Sequence, residues 1–312
     1  MSCVSPKLVK TPYGVTLVSC GHCMPCLVAK QSNLVFICKI EQQEAYRKKL
    51  GCSFLTLTYN EGAVPYTVTG HRTLVKSDLQ KFLKRFRKYR QDDNKPLVKF
   101  LACGEYGDKL ARPHYHLIIF GADSAECLYY ARKAWDKSAK GLVQCGALRA
   151  GGIQYVLKYV TKSNITPEIR SFYESNGVQP PFIEKSQSFA KEWLERHAKE
   201  IADNHYMFQS KGKLRLYPEY VRNRVERLTG VSPKPYIKEY MDKINTDGKT
   251  LDDYLAEITY RQERALIAKA RLDNKAVQPA LNPRLPQALR SHHDTDIYRV
   301  LDQCAYDDEL PF

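Results

Sequence analysis

The run Arg112-Pro113-His114-Tyr115-His116-Leu117-Ile118-Ile119-Phe120 constrains this chain more than any other. Its apolar part, Tyr115 to Phe120, reads as a strand, and strand side chains alternate between faces. The two histidines, two residues apart at the strand's start, therefore point to one face and can share one metal ion. A third ligand comes most simply from Glu105, in Cys103-Gly104-Glu105-Tyr106-Gly107-Asp108, at the end of the preceding strand, because a hairpin brings it alongside. Two imidazoles and one carboxylate leave coordination positions open, which suits Mg²⁺ or Mn²⁺ bound partly through substrate oxygen. A His-x-His pair also occurs as plain core lining; the preceding glutamate favours the metal.

The flanking sequence supplies a mixed fold. Ser53-Phe54-Leu55-Thr56-Leu57-Thr58-Tyr59 alternates and ends at Asn60-Glu61-Gly62, a strand and a turn. Lys99 to Cys103 reads as a strand and Val143 to Leu148 as another. Between the first two, Leu79, Phe82, Leu83, Phe86 and Tyr89 recur at helical spacing. The face opposite them is expected to carry Lys81, Lys84, Arg85, Arg87, Lys88 and Arg90, either to contact phosphates or to keep the helix hydrated. Further helices are expected over about 29–49, Ala125 to Lys137, Ile153 to Lys162 and 186–202, and a short strand over Leu214 to Tyr217. The expectation is an α+β fold with a central antiparallel sheet and flanking helices. The chain divides into a Cys-rich segment 1–28, a main domain 29–228 and a C-terminal extension 229–312. In the extension, Thr250 and Asp253 mark the start of a charged helix with Leu251, Tyr254, Leu255 and Ile258 on its stripe. Pro279, Pro283 and Pro286 suggest a linker before an acidic tail.

In Tyr155-Val156-Leu157-Lys158-Tyr159-Val160-Thr161-Lys162, two tyrosines and two lysines each stand four apart, on adjoining helical faces. Tyrosine suits attack on a phosphodiester, since its phenolate is a workable nucleophile and a tolerable leaving group, and the strand can later be rejoined. Lys158 and Lys162 can lower a tyrosine pKa or neutralise charge on the transition state. The competing reading is a helix that simply packs Tyr155, Val156 and Tyr159 on a sheet.

Composition agrees with a polyanionic partner. Lys and Arg number 49 against 34 Asp and Glu, a net charge of +15, and there are 21 tyrosines. No stretch approaches the ~20 apolar residues of a membrane span, and the start of the chain lacks a signal peptide's apolar region, so a soluble intracellular protein is expected. The ten cysteines then fit reduced thiols, apart from one dense group, Cys20, Cys23 and Cys26. With Cys3 or His22 as fourth ligand, and Cys3 preferred, these suit a structural Zn²⁺; ordinary free thiols are the alternative.

Taken together, Phe54-Leu55-Thr56-Leu57-Thr58-Tyr59, His114-Tyr115-His116, Tyr155-x-x-Lys158-Tyr159-x-x-Lys162 and the N-terminal Cys-Gly-x-Cys-x-x-Cys resemble the HUH endonucleases of rolling-circle replication. Within these, the pattern is most similar to the replication-initiation proteins of gokushovirus-type bacteriophages, over roughly residues 1–225. The resemblance implies a sheet bearing the histidines with the tyrosine helix beside it, His114, His116 and Glu105 as metal ligands, and Tyr155 and Tyr159 as paired nucleophiles. It implies nicking of single-stranded DNA at a viral origin through a 5′-phosphotyrosyl link, release of unit-length circles, and action in the cytoplasm of an infected bacterium. The tyrosines follow the histidines, as in initiators and related transposases, whereas relaxases have the reverse order. No Gly-x-x-x-x-Gly-Lys-Ser/Thr loop occurs, so a host helicase is expected to unwind and a host polymerase to extend. The terminal Asp307-Asp308-Glu309-Leu310-Pro311-Phe312 resembles the acidic tip of bacterial single-stranded-DNA-binding proteins, which implies a host partner; a solubilising tail is the other reading. The rival functions are a two-tyrosine transposase, separated by strand transfer to other targets, and a non-catalytic DNA-binding module, separated by the absence of cleavage.

Overall fold

The computed structural model describes residues 3–11, 14–107, 110–136, 141–149, 151–162, 167–210 and 212–244. The expected helix at 250–258, the proline linker and the acidic tip lie outside them. The chain forms two compact units, one built on residues 34–189 and one on residues 1–33 with 190–244 among its described parts.

The larger unit is α+β. Its five-stranded antiparallel sheet contains β3 (Cys52–Tyr59), β4 (Lys99–Tyr106), β5 (Pro113–Phe120), β6 (Gly141–Ala147) and β7 (Phe182–Lys185), in the order β6-β3-β5-β4-β7. β5 is central, and its register opposes Thr56 to His116 and Thr58 to His114 on one side, and Cys103 to His116 and Glu105 to His114 on the other. Directly opposed residues share a face, so the alternating pattern of the sequence becomes two chemically distinct surfaces.

One surface is the apolar core. Leu55, Leu57 and Tyr59 of β3 and Tyr115, Leu117 and Ile119 of β5 are all at most 1% exposed. They pack with Leu79, Phe82, Leu83 and Phe86 of α2 (Lys76–Asp92) and with Tyr130, Ala131, Ala134 and Trp135 of α3 (Ser124–Asp136). Gly141 starts β6 at φ +142°, where a Cβ would fall 2.3 Å from Asn60 N and Thr58 O, so only glycine lets this strand pair with the end of β3.

Two basic residues of α2 depart from their expected exposed face. Arg90 lies four residues after Phe86, which returns it to the buried stripe; it is 2% exposed, pairs with Glu126 at 2.9 Å and donates to the Pro96 carbonyl at 3.0 Å. Arg85 donates from Nε to the Ala134 carbonyl at 2.8 Å, tying α2 to α3. Lys81, Lys84, Arg87 and Lys88 remain exposed.

The opposite surface carries polar residues and is covered in part. The helix α1 (Met24–Arg47) contributes Glu41, paired with Lys99 of β4 at 2.9 Å. The helix α4 (Gly152–Lys162) packs on β4, β5 and β7 with Ile153, Val156 and Leu157 buried. A further helix, α5 (Pro167–Ser175), which the sequence reading missed together with β7, buries Ile169 and Tyr173 with Val178.

The smaller unit begins with an antiparallel hairpin, β1 (Lys7–Thr11) and β2 (Gly14–Val18), inside the segment expected to lack regular structure. It continues in the helix α6 (Lys191–Asp203), the hairpin β8 (Met207–Ser210) and β9 (Lys213–Leu216), and the helices α7 (Glu219–Thr229) and α8 (Lys234–Ile244). α6 and α7 pack together, burying Trp193, Leu194, Ile201, Val221 and Val225. Among the described residues no helix is long and apolar enough to cross a membrane.

Candidate active site

The polar surface of the sheet gathers the residues that the sequence singled out. His116 and Glu105 are both buried, and His116 Nε2 lies 2.5 Å from Glu105 Oε1. On the other side of the imidazole, Thr56 Oγ1 is 3.0 Å from Nδ1. The ring is thereby held from both nitrogens, with the carboxylate on one and a hydroxyl, able to give or take a proton, on the other. Thr56 carries no signal in the sequence beyond its strand; only the β3–β5 register places it opposite His116.

His114 stands opposite Glu105 in the ladder, one pleat from His116, and the two ring centres are 6.4 Å apart. Its Nδ1 is buried with no hydrogen-bond partner, an orphaned atom of the kind a ligand or ion satisfies. Burial, and next the neighbouring His116, hold its imidazole pKa below the ordinary histidine value, which favours the neutral, coordinating form. Gly107 makes room for this ring: a Cβ there would come within 3.1 Å of His114 Nε2. The donor chemistry of two imidazoles and a carboxylate fits a divalent ion, with His116 and Glu105 already in contact and His114 beside them. The three do not form a closed shell; among the described residues, the group whose donor atoms all lie within 4.8 Å of one another is that of the cysteines.

The first turn of α4 brings Tyr155 to this site. Its backbone N–H closes the turn on the Gly151 carbonyl at 2.8 Å, after Gly151 adopts φ +81°. The ring, 42% exposed, lies edge-on to His116 at 5.7 Å between centres and edge-on to Phe54 at 5.8 Å. Phe54 also lies against His116, at 5.7 Å. A tyrosine that merely packed the helix on the sheet would be buried; that task falls to Val156 and Leu157, both fully buried. Tyr159 follows Tyr155 by one turn of the same helix, and Lys158 and Lys162 are also on it; the side chains of these three lie outside the described residues.

Beside the histidine end of β5, Arg112 pairs with Glu61 at 2.6 Å and donates to the Tyr59 carbonyl, and Arg72 pairs with the same carboxylate at 3.0 Å. These ties fix the loops that flank His114. Toward β6 the polar surface is open: Leu142 and Gln144, opposed to Thr58 and Thr56, are exposed, and nothing lies within 4 Å of a Cβ built on Gly146.

The four cysteines are brought together within the smaller unit. Cys23 and Cys3 sulfurs are 3.8 Å apart and those of Cys20 and Cys26 are 4.0 Å apart. His22 turns away, its Nδ1 2.8 Å from the Cys20 carbonyl. Burial opposes ionisation of Cys20, yet the backbone N–H groups of His22 and Cys23 and the adjoining thiols bring its pKa down to about 6.

Residues 52–164, from β3 past α4, match the model of the replication-associated protein ORF2 family. The chain is 28% identical over 209 residues to the replication-associated protein ORF2 of Spiroplasma virus 4, covering 61% of this chain and 63% of that one. It is 30% identical over 158 residues to the replication-associated protein ORF4 of Chlamydia phage 1, covering 46% and 37%. It is 22% identical over 281 residues to the replication-associated protein VP4 of Bdellovibrio phage phiMH2K, covering 82% and 84%. The chain thus spans less than two thirds of the length of the first two relatives. No solved structure matches it. The matched stretch contains the two histidines, the glutamate and both tyrosines, and the chain belongs to the replication-associated proteins of microviruses.

Proposed function

We propose that the protein initiates rolling-circle replication by nicking single-stranded DNA at a viral origin, with Tyr155 as nucleophile on the sheet surface that carries His114, His116 and Glu105. The observation that carries this reading is the half-exposed Tyr155 ring set edge-on to His116, 5.7 Å away. The names of the relatives, all replication-associated proteins of phages, support the replicative role. Mg²⁺ or Mn²⁺ held by His114, His116 and Glu105 would polarise the scissile phosphodiester and offset its developing charge.

The chain's own residues do the rest. The open surface beside β6, with Leu142 and Gln144, gives a single strand room to lie beside the site, and the exposed lysines of α2 add to the basic character that attracts it. The Tyr155 phenolic oxygen attacks phosphorus, the P–O3′ bond breaks, the phenolic proton is lost and the departing 3′ oxygen gains one. One ester replaces another, so the bond can be reversed. Lys158 and Lys162, three and seven residues after Tyr155, offset phosphate charge. Tyr159 serves the second transfer, which releases the unit-length circle. A host polymerase extends the 3′ hydroxyl, a host helicase unwinds, and the site of action is the cytoplasm of the infected bacterium. The tip Asp307 to Phe312, outside the described residues, is the segment proposed to capture a host partner; deleting Pro311 and Phe312 should abolish that capture and leave nicking intact.

The test is incubation with labelled single-stranded circular DNA and Mg²⁺ or Mn²⁺. A covalent protein–DNA adduct, lost with EDTA and in the Tyr155→Phe, Tyr159→Phe double variant, is expected. Binding without cleavage across origin sequences and metals would instead make the protein a DNA-binding module.

A further inference from the structure

We propose that Cys3, Cys20, Cys23 and Cys26 bind one structural Zn²⁺ that clasps the base of the β1–β2 hairpin, independently of the proposed nuclease site. The argument begins with the hairpin's own weakness. Two-stranded hairpins are marginal in water unless an apolar face is covered. This one leaves Leu8 58%, Val9 40% and Val18 38% exposed. It needs another anchor, and the cysteines stand where one would act: Cys3 just before β1, Cys20 just after β2, and Cys23 and Cys26 at the start of α1.

The geometry is that of a tetrahedral thiolate site. With Zn–S bonds of about 2.3 Å, the edge of a sulfur tetrahedron is about 3.8 Å. The Cys3–Cys23 and Cys20–Cys26 pairs measure 3.8 and 4.0 Å, and all four sulfurs lie within 4.8 Å of one another. Backbone N–H groups point at the sulfurs, from Cys20 to Cys3 Sγ and from Cys23 to Cys20 Sγ, both at 3.3 Å. Such donors stabilise the anionic ligand form. Gly21, at φ +81°, turns the chain between Cys20 and Cys23. Two disulfides would require sulfurs about 2.05 Å apart.

Four protein thiolates leave no coordination position for substrate, so the ion stabilises structure and does no chemistry. The chain would then sort two metals by ligand softness: zinc on sulfur, and magnesium or manganese on the imidazoles and carboxylate.

The test uses the full chain, purified under reducing conditions without chelator. Elemental analysis should find one zinc per chain, and replacement by Co²⁺ should give the intense visible bands of a tetrahedral thiolate site. Cys3→Ser and Cys23→Ser should lose the metal, whereas Cys145→Ser, on β6, should keep it. Should the serine variants fail to fold, hydrogen exchange on the wild-type chain replaces them: a zinc chelator should speed exchange across residues 7–18 and leave β5 protected. Zinc absent from the purified chain, retained in full by Cys23→Ser, or replaced by two disulfides in the intact mass would overturn the proposal, as would exchange at 7–18 that ignores the chelator.

Discussion

The two surfaces of the five-stranded sheet are written by the same strands and differ in almost every physical respect. On one, Leu55, Leu57, Tyr115, Leu117 and Ile119 are shut away beneath α2 and α3. On the other, one residue along each strand, Phe54, Thr56, His114 and His116 face Glu105 and Tyr155. A register slip of one residue would exchange the two sets, so the packed core is what aims the histidines. Even the core's polar groups serve that register: the Tyr59 hydroxyl donates to Asp78 at 2.9 Å and meets that of Tyr115 at 2.8 Å, and Tyr115 in turn accepts from the Val75 N–H at 2.8 Å.

Substitutions on the two surfaces should therefore fail differently. His116→Ala removes a proposed ligand and should cut nicking on the order of a thousandfold, several kcal/mol of transition-state stabilisation, with little change in thermal midpoint. Leu117→Ala, its neighbour on the other surface, should do the opposite: about 2–5 kcal/mol lost in denaturant unfolding, with cleavage per folded molecule unchanged. Thr56→Val keeps the shape of a β-branched residue while deleting the partner of His116 Nδ1. Metal titration should show affinity lower by about 10–100-fold and unfolding nearly as before. Smallest is Tyr115→Phe, where loss of the hydroxyl shared by Tyr59 and Val75 should cost about 1–3 kcal/mol of stability and leave metal affinity alone. If Thr56→Val and Tyr115→Phe had the same profile, the separation of the surfaces would be wrong.

The strands that build these surfaces were legible because each alternates or runs apolar over several residues, as Phe54 to Tyr59 and Tyr115 to Phe120 do. β7, four residues long, and the β1–β2 hairpin, whose residues are mostly exposed, carry too little burial to leave a pattern. His114, His116, Glu105 and Tyr155 could be named from spacing and motif. Thr56 could not, since Thr58 beside it reads the same and only pairing with β5 sets it against His116 Nδ1. Arg90 misled for a related reason: its charge suggests solvent, but its position four residues after Phe86 puts it on the buried stripe, where Glu126 offsets the burial.

Mapping the covalent adduct tests the central claim most directly. Trypsin cuts after Arg149, Lys158 and Lys162, so Tyr155 and Tyr159 fall in separate peptides, 150–158 and 159–162. After reaction with origin DNA and Mn²⁺, mass spectrometry should find the phosphotyrosyl remnant of the first cleavage on peptide 150–158. A remnant on a tyrosine outside α4, or no adduct when the DNA has been cut, would contradict the assignment of this surface as the nucleophile's site.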